Sequence, residues 1–181
     1  MTIPSSVEDI GKQAFALYSV GGEVTKSPYK DLIIPSKLNA NIKDQAFAHN
    51  PFVKQMYVAE GKSVASSAYV GCKNIDEAYI LQTEITTQYQ DITAKTLVLS
   101  DKLTKIVDFA ICNWTNLNMV TYGGVDFESG VVRLPSTLKE IGGSNVFKGA
   151  AIETIDLSNF KGDLPNNLGT PRMRVEALTK V

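Results

Sequence analysis

Short segments in which apolar and polar residues alternate recur along the chain. In residues 95–100, KTLVLS, and 130–135, GVVRLP, an apolar side chain stands at every second position, which is the period of a strand with one buried face. The proline that ends the second segment removes a backbone N–H and stops a ladder there. Between such segments neither a strand period nor a helical period persists. The pattern predicts short strands joined by turns, with strands of successive units pairing in parallel.

A small residue followed by a large apolar one marks a phrase that returns five times. The steps are Ala14-Phe15, Ala46-Phe47, Ala68-Tyr69, Ala110-Ile111 and Val146-Phe147. An apolar-Pro-Ser segment precedes three of them, at residues 3–5, 34–36 and 134–136, residues 99–100 carry a version without proline, and a sixth start lies at residues 164–168. Each copy is interpreted as one coil of a stack, because a single copy is too small to bury a core alone.

Positions downstream of the step also agree between copies. The offsets four, seven and ten are apolar in two of them: Cys72, Ile75 and Ala78 after Ala68, and Trp114, Leu117 and Val120 after Ala110. We expect these six side chains to point into the core. A repeat of 20 to 29 residues explains this agreement better than a helix or a long strand does.

The phrase resembles the BspA-like leucine-rich repeat, whose pattern runs apolar-x-Ile-Pro, x-x-Val, x-x-Ile-Gly, x-x-Ala-Phe, x-x-Cys, x-x-Leu, x-x-Ile. The first copy carries it at Ile3, Pro4, Val7, Ile10, Gly11, Ala14 and Phe15, and the third at Ala68, Tyr69, Cys72 and Ile75. The resemblance implies a leucine-rich-repeat solenoid of parallel β-strands with short helical or 3-10 turns. We expect this domain to cover residues 2–168, as five degenerate copies and a partial sixth, with residues 169–181 as a C-terminal cap or tail.

The spacing of the copies is irregular. The large residues of the steps, at positions 15, 47, 69, 111 and 147, are 32, 22, 42 and 36 residues apart. The long intervals predict insertions near residues 18–31, 81–95 and 121–131. Pairs of glycines at 21–22 and 123–124 favour turns with positive φ in two of them, and Gly11 and Gly142 are expected to permit tight corners.

The ends of a repeat stack need covering, because they leave unpaired strand groups and an open apolar face. Met1 and Thr2 are too few to act as a cap, so we expect the first coil to be open. A second copy, another protein or further repeats would cover it, or Met1 folds over it. The sequence therefore predicts a protein partner or self-association through this end.

Composition narrows the possible partners. Hydrophobic residues make up 44% of the 181-residue chain, and the net charge is -1, so no overall field attracts nucleic acid or an anionic membrane. Arg172 and Arg174 form only a small basic cluster. No apolar run approaches the roughly 20 residues of a membrane helix, and the N-terminus lacks the pattern of a secretory signal. We expect no nucleic-acid binding and no membrane insertion.

The sequence offers little for catalysis or for a cofactor. The one histidine, His49, lies in a turn-like segment. The sequence motifs that usually bind dinucleotides, nucleotide phosphates or zinc are absent. Carboxylates are scattered, as at Asp76 and Asp126, without a repeat-placed pair. Cys72 and Cys112 fit buried core positions, where a thiol is inert. We expect neither cofactor nor metal, and no enzymatic activity.

The residues that the repeat turns outward are the better candidates for function. Tyr57 and Tyr79 are 22 residues apart, one regular repeat, and should be neighbours on adjacent strands. Arg133 and Asp156 alternate with inward residues and would extend the same face. Tyrosine is enriched at protein interfaces, so these four residues form a candidate protein-binding surface. The alternative, a cross-strand pair that merely stabilises the sheet, stays open.

The resemblance implies non-catalytic binding through the repeat surface. The first functional interpretation is a structural or decoration component of a larger assembly, such as a virion or a surface structure. The alternative is a repeat segment of a secreted or cell-surface adhesin that binds host or matrix proteins. Both favour a virion, cell-surface or extracellular location over the cytoplasm, and an enzyme is the third, unsupported interpretation.

Overall fold

The computed structural model describes residues 1–17, 32–142, 145–158, 160 and 162, together with the backbone of residues 174–176. Within these parts the chain forms short strands and turns and contains no helix. The strands are β1 Asp9–Ile10, β2 Asn41–Ile42, β3 Gln55–Val58, β4 Glu77–Ile80, β5 Glu84–Ile85, β6 Thr96–Leu99, β7 Lys105–Ile106, β8 Met119–Tyr122, β9 Val131–Arg133, β10 Glu140–Ile141, β11 Thr154–Asp156 and β12 Arg174–Glu176.

Successive coils stack so that strands from equivalent positions pair in parallel. A seven-stranded sheet has the order β12-β11-β9-β8-β6-β4-β3, and a three-stranded sheet has the order β10-β7-β5. A third ladder joins β1 to β2, and Ile42 bridges in parallel to Val64. The expected parallel β-solenoid is confirmed. Turns, rather than the short helical segments that we expected, connect its strands in the described parts of the chain.

The core lies between these ladders. Strands β3, β4 and β6 bury every second side chain, and the register stacks Met56 on Ala78 and Ala78 on Leu97. Cys72 and Trp114 are buried as predicted. Because each inward side chain contacts its counterparts in the coils above and below, burial grows with stacking, and one coil alone would leave its apolar residues in water.

The small-large steps form one column, with a member that sequence reasoning missed. The backbone N–H of the large residue donates to the carbonyl of the small residue in the next coil: Phe15 to Ala46 at 2.7 Å, Phe47 to Ala68 at 2.9 Å, Tyr89 to Ala110 at 2.9 Å and Ile111 to Val146 at 3.1 Å. Tyr89 therefore holds the large position of a further coil. The interpretation of residues 81–95 as an insertion was wrong, because Gln88 replaces the small residue that marks other copies.

Buried side-chain donors repeat with the same period. Four residues after the small position, Asn50 Nδ2 donates to the Phe15 carbonyl at 2.8 Å, and Cys72 Sγ donates to the Phe47 carbonyl at 2.9 Å. Trp114 Nε1 donates to the Tyr89 carbonyl in the same way. An unpaired buried carbonyl costs about 1–3 kcal/mol. This offset therefore serves both the core and the carbonyls of the preceding coil.

Each coil turns a corner through left-handed residues. Three residues after the small position φ is positive in five coils: His49 (56°), Gly71 (71°), Asp91 (60°), Asn113 (62°) and Gly149 (83°). Glycine, asparagine and aspartate adopt this conformation most readily. Asp91 lies three residues after Gln88. Its positive φ therefore agrees with the hydrogen-bond evidence that Gln88-Tyr89 is a small-large step.

The glycines predicted to act at corners behave differently from one another. Gly124 has a φ of 79°, as expected. Gly142 permits a close approach, since an added Cβ would lie 2.3 Å from the Asp108 amide nitrogen. At Gly11 the expected tight turn is present, because the Ala14 N–H donates to the Gly11 carbonyl at 3.3 Å. A Cβ there would meet nothing within 4 Å, so the turn does not require glycine. The glycines at 21–22, with the predicted insertion at 18–31, lie outside the described residues.

The predicted insertion near residues 121–131 is confirmed, and it is half a coil. Strand β8 pairs with β9 after only 12 residues, through Val120 and Val132. On the other side of the solenoid β7 pairs directly with β10. Residues 119–130, which we call the half-coil, thus add a layer to the seven-stranded sheet and none to the three-stranded sheet.

Candidate protein-binding surface

The four predicted surface residues lie in one outward row of the seven-stranded sheet. Strand register places Tyr57 beside Tyr79, Tyr79 beside Val98, and Val98 beside Thr121. Arg133 follows, because its neighbour Val132 pairs with Val120, and Asp156 pairs with Arg133. We call these six positions the outward row.

Tyr57 and Tyr79 contact each other as predicted. Their ring centroids are 5.7 Å apart and the rings are inclined by 48°, within the range of favourable aromatic pairs. Both side chains are half-buried rather than exposed, because each ring covers part of the other. Burial raises the pKa of Tyr79, and the adjacent Glu77 carboxylate adds to this shift. The pair presents a neutral, amphipathic surface.

A hydrogen-bonded polar border lies next to the tyrosines. Gln55 Nε2 donates to Glu77 Oε2 at 3.1 Å, and Gln55 Oε1 accepts from the Lys37 amide at 2.7 Å. Gln55 and Glu77 face each other in the ladder two residues before the tyrosines. These contacts hold the side chains beside the aromatic pair, so this part of the row is ordered before any partner binds.

Arg133 and Asp156 are neighbours too, but other groups engage both. Arg133 Nη1 donates to the Asp126 carbonyl at 2.7 Å, and its Nη2 pairs with Glu128. Asp156 accepts from the Ser158 amide at 2.9 Å. Hydrogen bonds from Ser158 lower the pKa of Asp156 against the opposing effect of burial, and Arg133 lowers it further.

The half-coil divides the outward row. Alternation turns Thr121 outward, yet only 2% of it is exposed, and its hydroxyl donates to the Val125 carbonyl at 2.9 Å. The returning residues 123–130 therefore cover it. Tyr79 and Arg133 are three strands apart, about 14 Å at the usual spacing. The structure brings the residues together as two pairs, not as one patch of four.

Phe127, at the tip of the half-coil, is a surface residue that sequence reasoning missed. It is 43% exposed, whereas most large apolar side chains in the described residues are buried. The glycine pair at 123–124 signalled a turn, but the sequence does not show which way the turn projects. Arg133 anchors the half-coil on both sides of Phe127 through Asp126 and Glu128.

The three-stranded sheet has a different outer surface. Glu84, Lys105 and Glu140 face one another across β5, β7 and β10, and Lys105 Nζ lies 2.9 Å from Glu140 Oε1. The hydrogen bond to Glu140 raises the pKa of Lys105. Charges of alternating sign satisfy each other there, which is typical of a solvated face rather than of an interface core.

The potentially reactive side chains Cys72 and His49 occupy structural positions of the repeat. Burial raises the pKa of the Cys72 thiol to about 11, and the thiol donates to a backbone carbonyl. His49 is exposed at a left-handed corner. Among the described residues no group of three or more His, Cys, Asp or Glu side chains is placed to hold a metal ion, and no helix there could cross a membrane.

Comparison with known families agrees with the stacked columns. A family model described as BspA type leucine rich repeat region matches residues 1–118 with six copies. The chain belongs to this family. No curated protein and no solved structure matches the chain. BspA-type and other leucine-rich repeats generally mediate protein–protein interaction and are typically not enzymes. The ladder of this chain continues past residue 118 through β9, β11 and β12.

Proposed function

We propose that this BspA-type repeat protein is a non-catalytic scaffold whose outward row binds a partner protein. The observation that carries the proposal is the Tyr57–Tyr79 pair, set in register on adjacent strands. Two tyrosines supply apolar area with a hydroxyl at the edge, and they lose little side-chain freedom on binding because the sheet already orders them. Arg133 and Asp156 provide a second, charged contact at the far side of the half-coil.

The proposed setting is a larger assembly, such as a virion or a surface structure, in which the protein is a structural or decoration component. The first coil supports this setting. Ala14 is exposed, whereas its counterparts Ala46, Ala68 and Ala110 are buried. An exposed repeat end with an edge strand is a template for stacking on another chain. We propose a protein partner or a second copy of this chain as the occupant of that end.

The second candidate is a repeat segment of a secreted or cell-surface adhesin that binds host or matrix proteins. Membership of the BspA-type family favours it. The same outward row would serve, but an adhesin would bind through the row without needing the first coil to associate. Both settings are extracellular or particle-associated rather than cytoplasmic.

A photocrosslinking residue at Val98, which lies beside Tyr79 in the outward row, captures the partner from the producing cells or from host and matrix proteins. The partner is then measured against wild type and the Tyr57→Ser/Tyr79→Ser variant, whose fold is checked by circular dichroism. We expect at least tenfold weaker binding. Ile33→Ser/Val70→Ser removes exposed apolar residues outside the row, at 58% and 41% exposure, and should bind as wild type does. Unchanged binding of a folded tyrosine variant would contradict the proposed surface.

Light scattering across a dilution series separates the two settings. A concentration-dependent oligomer that Ala14→Arg dissolves would support assembly through the first coil. A monomer at every concentration, combined with binding to immobilised matrix proteins that the tyrosine variant loses, would favour the adhesin.

A further inference from the structure

The corners that leave the seven-stranded sheet differ in length, and the shortest lies between two longer ones. Four residues separate Ile80 from Ile85, while six separate the equivalent Leu99 from Ile106 in the next coil. In the preceding coil five residues separate Val58 from Val64. The short corner is recessed because it follows a tighter path between two ladders whose spacing the core fixes.

The recess is a depression of about 490 Å³ across four coils and the start of the half-coil. Its apolar part includes Tyr57, Leu81 and Leu99. Gln82 Nε2 donates to the Lys62 carbonyl at 3.0 Å, and Ser100 Oγ accepts from the Lys102 amide at 3.2 Å. These hydrogen bonds hold the corners on which the walls stand. We call this cavity the corner depression.

Charged side chains form the rim of the corner depression, with carboxylates in excess. Lys102 Nζ, from the long corner, lies 3.6 Å from Glu60 Oε2, from the corner two coils away. The pair therefore spans the recessed coil. Asp101 also lines the depression, so its lining includes two acidic residues and one lysine. Because Lys102 of this chain already pairs with Glu60, a cationic group placed over the recess can reach Glu60.

We propose that the corner depression receives an arginine side chain of the partner protein. The arginine stem would lie on Leu81, and its guanidinium plane would meet the Tyr57 ring and the Glu60 and Asp101 carboxylates. A guanidinium is planar, less strongly hydrated than an ammonium, and binds carboxylates with two hydrogen bonds, so it replaces Lys102 at Glu60 favourably. This inference rests on the proposed function in that Tyr57 belongs to both surfaces.

The first test uses small peptides as probes. Acetyl-Gly-Arg-Gly-amide is titrated into ¹⁵N-labelled protein, followed by the amide resonances, beside the same peptide with citrulline, the neutral isostere of arginine. We expect saturable shifts at Glu60, Leu81, Asp101 and Gly123, with at least fivefold weaker binding of citrulline. Equal binding of both peptides, shifts located elsewhere, or no saturable shift up to the solubility limit would each overturn the proposal.

The second test removes the rim carboxylates. Glu60→Gln/Asp101→Asn should weaken binding of the arginine peptide about fivefold or more, as expected for the loss of two partly screened ion pairs. Asp91→Asn/Glu153→Gln removes the same charge from exposed sites outside the depression and should leave binding unchanged. An unaffected rim variant that retains the wild-type spectrum would overturn the proposal.

The outcomes for the two surfaces can be told apart. Tyr79 does not line the depression, so Tyr79→Ser should leave binding of the arginine peptide unchanged while it weakens binding of the whole partner protein. Loss of the partner without any peptide binding would leave the outward row standing and remove the depression. Peptide binding, together with a partner that tolerates Tyr79→Ser but is weakened by Glu60→Gln/Asp101→Asn, would keep the depression and remove the outward row.

Discussion

The regular coils of residues 55–106 and the half-coil of residues 119–130 belong to one sheet, yet their ladders differ. β3 with β4, and β4 with β6, each form four matched pairs, whereas β8 and β9 share one. Regular coils have enough residues to cross both ladders, and the half-coil crosses only one. Coil length, rather than the apolar pattern, therefore decides where the stack stays regular.

The consequences of this difference appear on both sides of the solenoid. On the seven-stranded side the half-coil inserts a layer and covers Thr121. On the other side β7 meets β10 directly, and Gly142 approaches Asp108 so closely that a Cβ would not fit. Because the half-coil adds a layer on one side only, the coils pack more closely on the opposite side. We therefore expect substitutions in the two regions to change stability by different amounts.

The largest expected effect compares an aromatic residue in each region. Trp114→Ala should lower the free energy of unfolding by about 3–5 kcal/mol, because it empties a buried site and leaves the Tyr89 carbonyl without its donor. Phe127→Ala in the half-coil should cost less than about 0.5 kcal/mol. Urea unfolding of both variants measures this. Equal losses would mean that the half-coil is as much part of the core as the regular coils.

A pH titration tests whether water reaches the buried Cys72 site in the regular coils. Burial raises the pKa of Cys72 from its ordinary 9.0 to about 11, so the thiol keeps its proton in the folded state after the unfolded chain has lost it. Its contribution to stability is complete below pH 9 and should fall between pH 9 and 11, by about 2–3 kcal/mol. Unfolding measured across this window should be flatter for Cys72→Ala. An identical slope in both proteins would show that the site admits water.

A pair of glycine substitutions sharpens the contrast between the two sides of the stack. Gly142→Ala should cost about 1–3 kcal/mol by forcing the tight ladder apart. Gly123→Ala, where a Cβ meets nothing within 4 Å, should change stability by less than about 0.5 kcal/mol. Thermal melting of the two variants is the measurement. A tolerant Gly142 would show that the coils can separate there.

Excision of residues 120–131 should have the smallest effect on stability, about 1 kcal/mol or less. Met119 would be followed by Val132, so β9 would pair with β6 in the register that β8 now has, and Leu134 would replace Tyr122 beside Leu99. Lost burial of Val120 is thereby offset by a regular ladder. Circular dichroism and urea unfolding check the result, and loss of cooperative unfolding would show that the half-coil is required for the fold.

Sequence reasoning worked where residue type and spacing together mark a position. The agreement of Cys72 and Trp114 at one offset predicted their burial, and the structure adds that both donate to a carbonyl of the preceding coil. It failed at Tyr89. Gln88 in the small position removed the signal there, although the backbone hydrogen bond of the column needs only an N–H and a carbonyl and is indifferent to the side chain.

The candidate surface was predictable in part for a similar reason. Alternation and repeat length were enough to place Tyr57 beside Tyr79, because adjacent coils of equal length fix the register. They were not enough for Arg133 and Asp156, which the half-coil sets apart from the tyrosines. The corner depression likewise depends on the relative lengths of three neighbouring corners, and these become comparable only once the register is known.

By itself the sequence determined the repeat, the strand alternation and the identity of the core positions, since burial in a parallel stack demands apolar side chains at fixed intervals. The tertiary structure decided which interval is a coil and which is half a coil, and where the half-coil returns over the sheet. The reason is physical: side-chain types specify which face is buried, whereas the path of a turn between two ladders depends on distances that exist only after the neighbouring coils have stacked.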